Sequence, residues 1–578
     1  MTEGNVLDRL LESFPQEAAA GVRAWLADRA GAGTDPSGLM ARLAPAGGDV
    51  RPASDGDPRG IRHVGVIGGG TAGLLTALAL KAKRPWLEVT LVESTSIPII
   101  GVGEATTPHL TMFLHHYLGI DPAELYAKVL PTWKLGIKFD WGPGKPFIGP
   151  FDWAGDSVGL VGAIRTGNGS PNGATLGSVL MLRDRAPVYR TGDGDGDGGV
   201  LSLMKYLPFA YHLDNGRLVS YLHEVAARRG VHHVEATLEH VALSDDEWVD
   251  HLRTDDGRAL AFDLYVDCTG FRSRLLGQAL RTRYLTYDSS LFTDSAITGN
   301  TPHHGDIVPY TQATTMNAGW AWRIPTREDD HRGYVYSSNA ITDDQAVHEF
   351  RTRFPGITEP RQVRFRSGRH EKLWRGNVIA IGNSYGFVEP LESSGLLMIA
   401  TEILTLAAFL PASWSDPQPR EAVNTVLGQQ WDGLRWLLAI HYRFNTRLDT
   451  PFWKACNTTI DVSGFQPLLD LYAAGAPLCQ RDPVVRALAE RSAPLLYGLA
   501  SIDLLLLGQQ VPTRLLTLDE PLENWHARRR AAEALAGHAM TTRQALEAFD
   551  TIPELHQELL HAPDSWANPH GARLMGIA

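Results

Sequence analysis

The run "HVGVIGGGTAG", His63 to Gly73, constrains this chain more than any other stretch. Apolar residues up to Ile67 suit a buried strand, Gly68, Gly70 and Gly73 follow in G-x-G-x-x-G spacing, and a helical pattern runs from Thr71 to about Lys83. Gly68 permits a tight turn, Gly70 lets the backbone approach a pyrophosphate, and Gly73 lets the helix pack closely on the strand. The first N–H groups of the helix, around Thr71 and Ala72, supply donors and a positive dipole end. A second strand, "LEVTLVES", carries Glu93, twenty residues beyond Gly73, where a carboxylate can accept from ribose hydroxyls. Glycine spacing alone signals only a tight turn; strand, helix and acid together predict a dinucleotide site.

Two later stretches favour FAD over NAD. "YVDCTGFRS" brings Asp267 and Gly270 to the end of a buried strand, and "NVIAIGNSYGFVEP" brings Gly382 to the end of another. Flavin monooxygenase-like folds return to their cofactor at such strand ends. Only one glycine fingerprint is visible, so reducing equivalents are expected from another protein or as free reduced flavin.

The rest of the chain narrows the class. At 578 residues, with 44% hydrophobic and 20% charged residues, it supports a large globular core. A net charge of -12 argues against a nucleic-acid surface. No apolar run is long enough to span a bilayer and the N-terminus lacks a signal-peptide profile, so the expected location is cytoplasmic, without a membrane partner. Cys268, Cys456 and Cys479 fit neither a disulfide framework nor a zinc pattern. "TGDGDGDGGV" resembles the start of a calcium loop at Asp193, Asp195, Asp197 and Gly198, but Met204 stands where the closing glutamate belongs, so no metal is expected. Residues 1–60 read as a helical extension and linker, 61–400 as the cofactor-binding body with a substrate-binding sheet, and 401–578 as a helical region that completes the substrate site. The fold class is α/β, Rossmann-type and monooxygenase-like.

"PTWKLGIKFDW", Pro131 to Trp141, alternates Trp133, Leu135, Ile137, Phe139 and Trp141 with Lys134, Gly136, Lys138 and Asp140. A two-residue period makes this a half-buried strand with both lysines on one face. That face is either ordinary solvent surface or the wall of an internal channel holding a positioned ammonium. Spacing does not choose, nor does it separate Lys134 from Lys138.

The chain resembles the flavin-dependent halogenases, the tryptophan halogenase family. The matching pieces, in the family's order, are "GGGTAG", "IPIIGVGEATTPHL", "WKLGIKF", "GWAWRIP", "FVEPLESSG" and "HYRFNTRLDTPFW", spanning roughly Val64 to Trp453. The resemblance implies an enzyme that uses FADH2, oxygen and chloride or bromide to make hypohalous acid and lead it through a closed passage to an electron-rich aromatic carbon. It implies a separate flavin reductase as partner. It selects Lys134 as the passage lysine, acting as a hydrogen-bond donor to hypohalous acid or as a haloamine. Glu392 matches a carboxylate that accepts the ring proton or positions the lysine, with Ser393 beside it. Ser394 and Gly395 match the pair whose backbone N–H groups hold the halide, although they also read as an ordinary helix start. Gly101, Gly103, Glu104 and Ala105 match a strap across the flavin. Trp320 and Trp322 fit the W-x-W-x-I-P signature, a pair thought to keep organic substrates from the flavin, which argues against a hydroxylating monooxygenase. A non-catalytic flavoprotein that binds a peptide partner is the remaining alternative, and the intact lysine and halide loop speak against it.

In halogenases of free tryptophan a histidine and a phenylalanine clamp the indole. "FIGPFDW" here offers Phe151, but Gly149 falls where the histidine would be. The later segment that grips the amino acid has no counterpart in "RALAERSAPLLYGLASIDLLLLGQQVP", whose residues read as small and aliphatic. The expected substrate is therefore an indole of the tryptophan type, free or within a peptide, with a phenol or pyrrole left open.

Overall fold

The computed structural model describes residues 52–561 apart from 55, 98–102, 154–170, 192–198, 245–247, 304–306, 416–419, 477, 479–483, 486, 489–496 and 515–521, with a few isolated positions between 12 and 23. The calcium-like tract, Gly101, Cys479 and most of the N-terminal extension lie outside the described residues.

The glycine run folds as its spacing predicts. Strand His63–Ile67 leads through the turn into helix Thr71–Lys83 and on to strand Glu88–Glu93. These strands form the middle of a six-stranded sheet ordered His232–Glu235, Glu88–Glu93, His63–Ile67, Leu264–Asp267, Val378–Ala380, Trp374–Arg375, parallel except for the last. Side chains are buried on both faces, Val64, Val66, Leu91 and Val266 on one and Ile67, Val92 and Tyr265 on the other, which gives these strands their near-continuous apolar character.

A second, seven-stranded sheet is ordered Thr358–Arg364, Ser295–Pro302, Asp329–Tyr336, Gly319–Pro325, Thr311–Met316, Gly136–Asp140, Phe147–Pro150. It carries Trp320 and Trp322 on its fourth strand. From residue 395 onward the chain is mainly helical, with long elements Gly395–Phe409, Arg420–Phe444 and Leu522–His538. One apolar cluster runs from Ile61 to Leu560 and ties both sheets to these helices.

The stretch Pro131–Trp141 departs from the single half-buried strand expected of it. It forms two strands, Thr132–Lys134 in a small sheet beside Ala210–Leu213, and Gly136–Asp140 in the large sheet. Leu135 is the joint. Its N–H donates to Pro309 O at 2.8 Å, and its carbonyl accepts from Phe151 N at 2.8 Å. Neither partner is local in sequence, so no periodicity within the stretch could reveal the break. The consequence is that Lys134 belongs to a sheet covered on both sides and is 0% exposed.

Candidate active site

The glycine turn is built by steric exclusion. Gly68 has φ +122°, and a Cβ there would stand 2.3 Å from Cys268 O; a Cβ on Gly73 would stand 1.9 Å from Gly68 O. Gly70, the helix N-cap, instead faces space with no atom within 4 Å of an added Cβ. A tight turn, a close helix and an open N-terminus suit a pyrophosphate, so the residues present fit FAD.

The other residues expected at the cofactor have varied surroundings. Thr71 Oγ1 donates to Asn215 Oδ1 at 2.8 Å, fixing the helix start to the segment after strand Ala210–Leu213. Glu93 sits at its strand end with Oε1 2.6 Å from His233 Nε2 and Oε2 3.5 Å from His223 Nε2. Asp267 commits both oxygens to its own turn: Oδ1 accepts from Thr269 N and Oγ1, Oδ2 from Leu275 N and Leu276 N. It shapes the strand end rather than reaching outward. Gly270 and Gly382 both hold left-handed conformations, φ +64° and +68°; Gly382 N donates to the buried Glu402 at 2.6 Å, and Ala72 packs beside Gly382. Burial pushes the Glu402 carboxyl up to about 8.

The described part of the strap leads to the lysine. Gly103 N donates to His331 Nδ1 at 2.9 Å, and Glu104–Ala105 pairs with strand Ala210–Leu213. Burial pushes the Glu104 carboxyl up to about 7. Thr106 is locked to Tyr211 by three hydrogen bonds, its N and Oγ1 donating to Tyr211 O and its Oγ1 accepting from Tyr211 N. Its own carbonyl is thereby aimed at Lys134.

Lys134 Nζ donates to Thr106 O at 2.9 Å and to Ser393 Oγ at 2.6 Å, and lies 5.3 Å from the centre of the Phe151 ring. Loss of solvent pulls its ammonium down to about 7, against the opposing pull of Glu392. His212, whose ring bonds Thr132 and Thr311, is pushed well below its ordinary value by burial and by the Lys134 charge, leaving it neutral. Lys138 is different. It is half-buried, 5.4 Å from the Tyr310 ring centre, away from this cluster.

The loop that meets the lysine is strained. Ser393 has φ +57°, a left-handed conformation costing a non-glycine residue on the order of 1 kcal/mol. That conformation places Oγ on Lys134 and leaves Ser394 and Gly395 as N-cap and first residue of helix Gly395–Phe409. A Cβ on Gly395 would meet nothing within 4 Å, so the helix start opens onto space where its free N–H groups and dipole favour an anion. The strap, lysine, Phe151 and "LESSG" loop are thus brought together.

Trp320 and Trp322 lie with ring centres 6.0 Å apart. Trp320 Nε1 donates to Glu389 Oε2 at 3.0 Å, an oxygen that also accepts from Thr293 Oγ1 and Tyr442 OH; burial raises this carboxyl above its ordinary value.

Sequence reasoning missed three participants. Tyr497 OH donates to the Glu392 carbonyl at 2.9 Å, so the segment read as small and aliphatic does bring an aromatic to the site. His441 Nε2 stands 2.6 Å from Glu392 Oε1. Glu389 anchors Trp320 of the tryptophan pair. The last two lie inside "HYRFNTRLDTPFW" and "FVEPLESSG", motifs that signalled family without indicating which side chains meet. The absent clamp histidine has a physical counterpart: a Cβ on Gly149 would stand 3.2 Å from Phe139 Cε2 and 3.4 Å from Leu504 Cδ2, within helix Gly498–Gly508.

Comparison with known proteins finds relatives of one family. A sequence profile of the tryptophan halogenase family matches residues 63–519. Tryptophan 7-halogenase RebH of Lentzea aerocolonigenes is 33% identical over 456 residues, 75% of this chain and 84% of its own. The crystal structure of MibH, described as a lathipeptide tryptophan 5-halogenase, superposes with TM-score 0.86 at 60% identity, covering 90% of this chain and 99% of MibH. The tryptophan 6-halogenase SttH from Streptomyces toxytricini superposes with TM-score 0.76 at 31% identity, covering 85% and 100%. Fold and site define a flavin-dependent oxidoreductase that halogenates. The chain belongs to the tryptophan halogenase family. As such it uses FADH2 and halide, and relies on a separate flavin reductase. Among the described residues, no helix is long and apolar enough to cross a membrane and no metal-binding cluster occurs.

Proposed function

We propose that this chain halogenates the indole of a tryptophan residue held within a peptide, with Lys134 carrying the halogen and Glu392 taking the ring proton. Reduced FAD, when bound, supplies the electrons with which oxygen converts halide to hypohalous acid. The dry amine is the observation that carries the reading: a lysine with no solvent, held on Thr106 O and Ser393 Oγ beside a carboxylate. An amine pulled down to about 7 is available in its neutral form, which can displace hydroxide from hypohalous acid and take up the halogen. Transfer to the ring then forms the carbon–halogen bond, and the ring proton leaves to the Glu392 carboxylate. Ser394 and Gly395 hold the halide by backbone N–H, and Phe151 and Ser393 border the substrate. Trp320 and Trp322 wall the passage, and Gly68, Gly70, Thr71, Ala72, Gly73, Glu93, Gly103, Glu104, Ala105, Gly270 and Gly382 surround the cofactor, with Asp267 shaping its turn.

Likeness to MibH and the crowded position at Gly149 support a peptide over the free amino acid. The body over 61–400 then holds the cofactor, and the helical region 401–578 completes the substrate site through His441 and Tyr497. The cytoplasm, where a reductase renews FADH2, is the compartment this chemistry calls for. The test is mass spectrometry after incubation with a flavin reductase, FAD, oxygen and chloride or bromide, using free tryptophan and tryptophan-containing peptides side by side. A halogen isotope pattern on a peptide supports the reading; a gain of oxygen without halogen overturns it in favour of a monooxygenase.

A further inference from the structure

Helix Arg420–Phe444 ends at the site with two consecutive side chains that each engage a carboxylate of the same loop. Tyr442 OH donates to Glu389 Oε2 at 2.7 Å, and His441 Nε2 meets Glu392 Oε1 at 2.6 Å. The two acids are three residues apart, so one helical end fixes both the carboxylate that holds Trp320 and the acid beside Lys134.

His441 is an expensive residue for packing alone. It is 0% exposed, its ring lies 5.2 Å from Phe139 and edge-on to Trp141 at 5.9 Å, and Nδ1 is buried without a partner among the described residues. An aliphatic or phenyl side chain would fill this aromatic setting without burying an unpaired nitrogen. Among the described residues, the imidazole's one hydrogen-bond partner is Glu392, while Glu389 also feels its charge. With no partner for Nδ1 among the described residues and a carboxylate oxygen facing Nε2, an Nε2–H is the donor that points at Oε1. Trp141 Nε1 donates to the His441 carbonyl at 2.8 Å, so the ring hangs from a fixed backbone.

The Glu392 side chain is 12% exposed, and among the described residues no hydrogen bond engages its second oxygen, Oε2. Among the described residues, one oxygen is held and the other has no hydrogen-bond partner. We propose that His441 is the positioning residue that orients the Glu392 carboxylate, so that Oε2 receives the ring proton. In that step the ring C–H bond breaks, its electron pair returns to the aromatic system, and the proton bonds to Oε2. His441 keeps its Nε2 hydrogen throughout and neither gives nor takes a proton. The inference rests on the reading of Glu392 as the acceptor.

The experiment uses the full chain with its reductase and a tryptophan peptide carrying deuterium at the reacting carbon. His441→Phe is expected to lower kcat about 10- to 100-fold with KM unchanged, since misplacing a reacting group by about 1 Å costs this much. It is also expected to reveal a primary deuterium isotope effect absent from the parent, while hypohalous acid release stays at the parent rate. His441→Gln, whose amide N–H can reach the same oxygen, should recover most of kcat and suppress the isotope effect. If His441→Phe fails to fold or to hold FAD, His441→Asn, too short to reach Oε1, carries the same expectation. Parent-like kcat and no isotope effect in His441→Phe, with Glu392→Gln impaired, overturns the inference alone. Parent-like turnover in Glu392→Gln removes the acceptor reading and the inference with it.

Discussion

Lys134 is kept from water, and its proposed role depends on that. An amine with a folded value of about 7, against 10.5 in the open chain, binds fewer protons folded than unfolded across that interval, so its contribution to stability rises as pH climbs from 7 toward 10.5. Activity should follow the same group. If the neutral amine takes up halogen, the rate at saturating FADH2 rises as pH passes upward through about 7; a fall over that interval would assign the ammonium route instead. Lys134→Ala should lower halogenated product by about 100-fold or more while hypohalous acid, trapped in solution, continues to form. Retained product would remove the lysine from the mechanism. In sequence, Lys134 and Lys138 were equals, because alternation reports only which face a side chain takes. What separates them is the cover supplied by Ala210, Thr106 and Phe151, all distant along the chain.

At the scale of elements, the helix Gly395–Phe409 begins at the proposed halide position, and its first residue has room in front of it. Gly395→Ala adds a methyl that clashes with nothing and removes backbone freedom from the unfolded chain, a gain of roughly 0.4–1 kcal/mol in the compatible case. The same methyl intrudes on the proposed halide position. The expected result is an unchanged or raised Tm together with an apparent halide KM raised about tenfold; an unchanged halide KM would move the halide elsewhere. The glycine turn was legible from sequence because its contacts are local: Gly73 meets Gly68, and the strand that supplies Cys268 carries its own apolar signature. The break at Leu135 was not, since Pro309 and Phe151 make it. His441 was hidden for a third reason. In helix Arg420–Phe444 it falls on the same buried face as Leu434, Leu437 and Leu438, where periodicity reads only core.

For the whole molecule, the question is which tryptophan the proposed site accepts. Recognition of the free amino acid needs a second aromatic partner for the indole and groups to pair its zwitterion. By the resemblance Gly149 stands at the clamp position, and a Cβ added there would lie 3.2 Å from Phe139 in the large sheet and 3.4 Å from Leu504 in helix Gly498–Gly508. Each lost stacking contact is worth about 1 kcal/mol, and unpaired charges cost more. A peptide carries no zwitterion at the tryptophan, so its kcat/KM should exceed that of free tryptophan by about tenfold or more, since 1.4 kcal/mol is a factor of ten. Gly149→His tests the geometric half of this argument. Its ring would press on Phe139 and Leu504, so Tm should fall, at a cost of about 1–3 kcal/mol for overpacking, with no gain on free tryptophan. A variant with unchanged Tm and improved turnover of free tryptophan would show that the space is there, and that something other than crowding sets the preference.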